Sequence, residues 1–202
     1  MTSVPSKFSP CLIIDPGHGG RDGGAISFAG DRESDINLAI ALRLHLLARL
    51  YGAKTLLTRS EDVGYTDLTN YSEHEELVHR CEIINSMPDG VLMSIHQNSY
   101  PTGQPSGAQI LYAAGERSKY LGIVTHNNII QFLEPGNRRV AEPAPGNLYI
   151  TANAQCPSIL VECGFISNLS DLQKLKDENY QTAFSAVLFL SYLQYRKAAE
   201  QG

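Results

Sequence analysis

Short, continuously apolar runs alternate along the chain with longer segments whose apolar residues recur every three or four positions. The short runs, 11–15 (CLIID), 53–58 (AKTLLT), 91–96 (VLMSIH), 107–112 (GAQILY) and 158–162 (SILVE), predict strands. Several are apolar at successive positions, the pattern of strands covered on both faces. Helices are predicted at 33–51, 73–86, 117–134 and 179–197. The first places Ile36, Ala39, Ile40, Leu47 and Leu50 on one stripe and ends at Gly52, where a helix C-terminal glycine belongs. The second opens with Ser72 and Glu75 in capping-box spacing and aligns Leu77, Cys81 and Ile84. The third runs into Pro135-Gly136, and the last carries Ala183, Phe184, Val187, Leu188 and Leu190. This alternation predicts an α/β sheet. Residues 135–147 (PGNRRVAEPAPGN) are the one long connection, expected to be the mobile wall of a cleft.

Composition narrows the reading. With 202 residues and no internal repeat, the simplest organisation is one domain with a substantial core. A net charge of −5 without any basic block argues against nucleic acid as a partner. No apolar run approaches the roughly 20 residues that cross a bilayer. The opening MTSVPSKFSPCLII has neither the apolar core nor the cleavage site of a secretion signal. Cys11, Cys81, Cys156 and Cys163 form no C-x-x-C pair, so they read as buried free thiols, with a Cys156–Cys163 bridge as the less usual alternative.

Three predicted strand exits carry chemistry. The first ends at Asp15 and leads into His18 among glycines (DPGHGGRDGG); the third ends in Ser94-Ile95-His96-Gln97-Asn98; the last ends in Val161-Glu162-Cys163-Gly164. Ligands of open α/β sheets bind at the carboxyl ends of the strands, so these groups are expected to converge. Glu33 can join them, because it opens the helix that follows the loop from the first strand. Two neutral imidazoles and one carboxylate form a zinc set with a fourth position for water, and a carboxylate not spent on the metal then serves as general base. Asp15 is a candidate acceptor behind an imidazole. Plain readings stand beside these: His96 as a satisfied core residue, and Glu33 as a solvated helix-start carboxylate. Glu162, following Ile159-Leu160-Val161, must be paired, metal-bound or reactive. His45, His74, His79 and His126 fall within helical patterns and read as structural or surface residues.

The blocks IIDPGHGGRDGGAI, ESDINLAIALRL, GAKTLLTR, SIHQNS and ILVECGFISN resemble, in order, those of the zinc-dependent N-acetylmuramoyl-L-alanine amidases that cleave bacterial peptidoglycan. They extend from about residue 11 to 168, and the C-terminal helix fits as well. The resemblance implies a single catalytic domain over 1–202, with 1–10 as a short extension, built as a three-layer α/β sandwich around a mostly parallel six-stranded sheet. It implies that His18, Glu33 and His96 hold Zn2+ and that Glu162 is the catalytic glutamate. Asn98, Asn137 and Arg138 become candidates for substrate contact, while Arg80 and Asn85 are implied to be scaffold. Peptidoglycan is the implied partner, the implied place of action is the extracytoplasmic cell wall, and the family leaves a place for an activator protein. The stretch NAQCPSILVECGFISN most resembles the spore-cortex amidases. Residues 113–157 hold little beyond one helix and one loop, so an open site is expected.

Three rival readings remain at this level. They are a zinc hydrolase of the same fold acting on another amide, the catalytic part of a phage lysin, and a wall-binding module without activity. An intact set of four site residues argues against the last.

Overall fold

The computed structural model describes residues 9–66 and 71–201. Its elements are, in chain order, β1 (Leu12–Pro16), α1 (Glu33–Leu50), β2 (Thr55–Leu57), α2 (Glu73–Asn85), β3 (Val91–Asn98) and β4 (Gln109–Tyr112), followed by α3 (Glu116–Phe132), β5 (Glu142–Pro143), α4 (Tyr149–Asn153), β6 (Ser158–Phe165), α5 (Leu169–Lys176) and α6 (Glu178–Ala199). The six strands form one sheet in the order β2-β1-β3-β6-β4-β5. Every pairing is parallel except β4 against β6. This is the expected α/β architecture.

The continuous apolar runs are explained by the two covered faces. Leu12, Ile14, Val91, Met93, Ile159 and Val161 share a buried cluster with residues of α1, α3, α5 and α6. Their neighbours Ile13 and Leu92 turn the other way and pack with Ile84 of α2 and Ile150 of α4. Side chains alternate across a strand, so a strand buried on both sides must be apolar at every position. Capping follows the sequence too: the Ser72 hydroxyl accepts from Glu75 N at 3.3 Å at the start of α2.

Several boundaries differ from the expectation. Strands β3 and β6 run on to Asn98 and Phe165, so Glu162 lies inside β6 rather than at its exit. The stretch 135–147 is not wholly irregular: Glu142–Pro143 adds the sixth strand at the sheet edge. Two residues are too few to show a period. The sequence pattern predicts no helix where α5 stands, although Asn168 caps it by accepting from Ser170 N and Asp171 N. That helix buries only two apolar residues, Leu172 and Leu175, too little for a recognisable stripe. The five-residue α4 is shorter than two turns. All four cysteines are free, so the Cys156–Cys163 bridge is absent. Burial pushes the Cys81 and Cys156 thiols up to about 11, which makes them poor nucleophiles. Among the described residues, no helix is long and apolar enough to cross a membrane.

Candidate active site

The glycine-walled loop after β1 is shaped by two buried arginines. Arg80 on α2 donates through Nη1 to Asp15 Oδ1 at 2.9 Å and to the Pro16 carbonyl at 2.8 Å, and through Nη2 to the His18 carbonyl. Arg59, just past β2, donates to the Pro16 and Gly17 carbonyls at 3.0 and 3.1 Å. Held this way, His18 takes φ +60°, and it is the one non-glycine with positive φ among the described residues. An L-residue adopts that conformation only when its surroundings impose it, and such strain gathers at functional sites.

The strain turns the His18 ring toward Glu33, the first residue of α1. His18 Nε2 lies 3.4 Å and His96 Nδ1 3.0 Å from the same Glu33 Oε1. The two rings stand edge to face with centroids 5.0 Å apart. One donor atom from each of the three residues falls within 4.8 Å of the others, so the group can hold a metal ion. The site is packed around these donors. A Cβ on Gly17 would lie 2.2 Å from the His96 ring, and one on Gly24 would lie 2.7 Å from both Glu33 and His18. Glu33 itself is fixed by Gln97 N at 3.0 Å and Ala25 N at 2.9 Å. It is 3 % exposed, whereas the side chains of His18 and His96 are 27 % and 20 % exposed, so the cluster is open on the imidazole side.

The charges are strongly coupled. Burial opposes a charged His18 ring, yet the hydrogen bonds and charges of Asp22 and Glu33 raise it to about 10. Burial likewise opposes the Glu33 anion, but the two imidazoles hold its carboxyl far below the usual range. A site so eager to keep positive charge between its donors suits a cation.

Glu162 completes the arrangement. It is the cross-strand partner of His96 in the β3–β6 pairing, next to a register shift that bends the ladder between His96 and Asn98. Its Oε2 is buried and has no hydrogen-bond partner among the described residues. Burial pushes the Glu162 carboxyl up to about 7, with the charge of Glu33 adding to this and the histidines and Arg139 opposing it. An acid kept near neutrality and free of partners can exchange a proton with a substrate.

Not every candidate sits where the sequence suggested. Asp15 is not behind an imidazole. It accepts from Thr58 at 2.6 Å, Ser94 at 2.7 Å and Arg80, and so supports the loop through the arginine. Burial tends to raise its carboxyl, but Arg80 and the two hydroxyls keep it low. The carboxylate behind His18 belongs to Asp22, whose Oδ2 is 2.6 Å from Nδ1. Asn137 spends its amide on the Ala108 carbonyl at 2.8 Å and on Glu134 at 2.9 Å. With Arg139 N on its Oδ1, it pins a segment expected to be mobile. Arg138 is exposed on that same segment, and Asn98 ends β3, where its carbonyl accepts from Ile166 N. Asn85 holds α4 through the Asn153 carbonyl and Gln155 N. His45, His74, His79 and His126 contact Thr55, Tyr149, Glu82 and the Arg139 carbonyl, all outside the cluster. The sequence reading missed Asp22 and Arg59. Asp22 had a signal in its position four residues after His18 within the same loop.

The family model described as N-acetylmuramoyl-L-alanine amidase matches residues 12–189. A germination-specific N-acetylmuramoyl-L-alanine amidase of Bacillus subtilis is 32% identical over 198 residues, covering 91% of this chain and 78% of that protein. The amidase LytC of the same organism is also 32% identical, but the match covers 84% of this chain and only 32% of LytC. Among solved structures, the CwlD amidase of Clostridioides difficile, in complex with the GerS lipoprotein, superposes with a TM-score of 0.87 at 31% identity. That match covers 94% of this chain and 99% of CwlD. The chain therefore belongs to the N-acetylmuramoyl-L-alanine amidase family.

Proposed function

We propose that the protein hydrolyses, with zinc, the amide between the lactyl carbonyl of N-acetylmuramic acid and the amino group of L-alanine in peptidoglycan. His18, Glu33 and His96 are the metal ligands in this reading, and Glu162 is the general base. The observation that carries it is the meeting of two imidazoles and a carboxylate beside the unpartnered oxygen of Glu162. The donor set fits a catalytic zinc site: nitrogen and oxygen ligands, an open side, and Asp22 fixing the far nitrogen of His18. Zinc held there supplies Lewis acidity toward the scissile carbonyl and makes water more acidic near neutral pH.

The chain's own groups supply the rest. Glu162 takes a proton from the attacking water and delivers it to the departing alanine nitrogen, for which a carboxyl near pH 7 is well matched. Asp22 fixes which nitrogen of His18 faces the metal, and Arg80 and Arg59 hold the strained loop in place. Germination-specific and sporulation-specific relatives support a role on spore cortex in the extracytoplasmic wall. The GerS lipoprotein bound to CwlD supports a helper protein as part of the same reading.

Two results are expected. In equilibrium zinc titrations His96→Ala should lose stoichiometric binding, while Asp22→Asn should bind about 10- to 100-fold more weakly, as when a partner behind a ligand is removed. Unaltered affinity in both would remove the ligand assignment. The second concerns pH in chelator-treated protein. Glu162 rises on folding from its ordinary 4.5 to about 7, and His18 from 6.5 to about 10. Groups raised on folding contribute stability below their unfolded values and lose it as pH climbs through the folded ones. The melting temperature should therefore fall as pH rises from about 4.5 to about 10, and Glu162→Gln should remove the part of the fall below about pH 7. A flat profile would contradict this electrostatic description.

A further inference from the structure

A second concavity, of about 610 Å³, opens where the start of β4, the 134–139 segment and α5 meet, with Arg138, Arg139, Lys174, Glu134 and Asp171 in its wall. The two acids are spent internally. Glu134 accepts from Lys174 at 3.1 Å, from the Tyr180 hydroxyl, Ala108 N and Asn137, each at 2.9 Å. Asp171 accepts from Gly107 N at 2.7 Å and Phe165 N at 3.0 Å, and lies 3.0 Å from Lys174. Lys174 is thus balanced by two carboxylates.

Arg139 is different. Its side chain donates to neutral oxygens, Nε to the Ser106 carbonyl and Nη1 to Gln109 Oε1, both at 3.0 Å. Its carbonyl accepts from His126 Nε2 at 2.7 Å, its own N–H donates to Asn137, and its guanidinium lies 4.5 Å over the Phe165 ring. Restraints on both its backbone and its side chain pre-organise it, and none of them uses Nη2. The position matters as well. Gln109 is the cross-strand partner of Glu162 in the β4–β6 pairing, and Phe165 is three residues beyond Glu162 on β6. On the far side of His18 the wall carries Tyr71, Glu73, Leu77 and Ile150, and its one cation among the described residues, Arg80, is spent on Asp15 and the loop carbonyls.

We infer that Arg139, with Arg138 beside it, binds a carboxylate of the departing peptide and so fixes which way the substrate lies. This rests on the amide cleavage proposed above. Glu162 must reach the leaving nitrogen, which puts the peptide on the β6 side, where Arg139 stands. Once its lactyl carboxyl is tied up in the amide, an N-acetylmuramoyl unit carries no free acid, so the negative charge near the scissile bond is the peptide's. A planar guanidinium suits a carboxylate, and a charged hydrogen bond of this kind is worth about 10- to 100-fold in binding.

The test uses zinc-loaded protein and two soluble muramoyl-peptides that differ only in free or amidated peptide carboxylates. Wild type should favour the free acid by about 10- to 100-fold in kcat/KM, chiefly through KM. Arg139→Gln should bring the ratio near one. Arg139→Lys should keep part of it, because the charge stays while the fork is lost. Arg138→Gln, at an exposed position, should lower the ratio about twofold and keeps the question open to measurement if Arg139→Gln fails to fold. A wild type without preference, or an Arg139→Gln variant that loses rate equally on both substrates, overturns the inference. If wild type cleaves neither substrate, the amidase reading has failed. Calorimetry of the free peptide, acid against amide, then decides the subsite alone, and equal binding to wild type and Arg139→Gln overturns it.

Discussion

Glu162→Gln should keep the metal and lose turnover by about a thousandfold, within the range that a positioned acid–base group supplies. The substitution preserves size and removes only the ability to take and return a proton. Glu162 touches none of the three metal-cluster residues by hydrogen bond, and its Oε2 is already without a partner, so an amide there disturbs no existing network. Zinc affinity, measured beside activity on the same preparation, should stay within a few-fold of wild type. The joint outcome is the informative one. Loss of both would make Glu162 a ligand, and retention of both would leave it without a role in the chemistry.

The second large effect is on stability. Arg80→Met should cost about 3–5 kcal/mol, because removing one member of a buried ion pair strands the other. Asp15 is 1% exposed and would be left with two hydroxyls as its direct hydrogen-bond partners and no ion pair among the described residues. The His18 carbonyl would lose the Arg80 donor at the same time, and the Pro16 carbonyl would keep only Arg59. For a chain of this length a melting temperature lower by roughly 10 °C follows. Asp15→Asn combined with Arg80→Met removes both charges and should recover part of the loss. If the double variant is as unstable as the sum of the singles, the ion pair is not what holds the loop. Because Arg80 also fixes the strained His18 backbone, zinc affinity should fall in the single variant even at temperatures where it stays folded.

Much of this was legible in the residues. Doubly covered strands must be apolar throughout, so β1, β3 and β6 stood out, and the polar residues that follow or interrupt them, His18, His96 and Glu162, were conspicuous for that reason. Glu33 was harder, since a helix-start glutamate is ordinarily solvated; here the loop folds back and buries it against both histidines. What escaped depends on side-chain direction and on tertiary partners. Asp15 and Asp22 are equally plausible from spacing, but the strand points Asp15 at Arg80 while the turn brings Asp22 to His18 Nδ1. Arg138 and Arg139 are adjacent in sequence, and only contacts from Phe165, Gln109 and Ser106 distinguish the pinned one. The two-residue β5 and the lightly apolar α5 lack enough residues for a period, so nothing local announces them.

In the proposed reading, a metal held between His18, Glu33 and His96 is what makes amide hydrolysis possible. The most direct test is the release of new N-terminal alanine from purified peptidoglycan by zinc-loaded protein, followed with and without a chelator. Steady release that the chelator abolishes and added zinc restores is the predicted result. Release that persists undiminished in metal-stripped protein, or zinc-saturated protein that frees no alanine from any wall preparation, would contradict it.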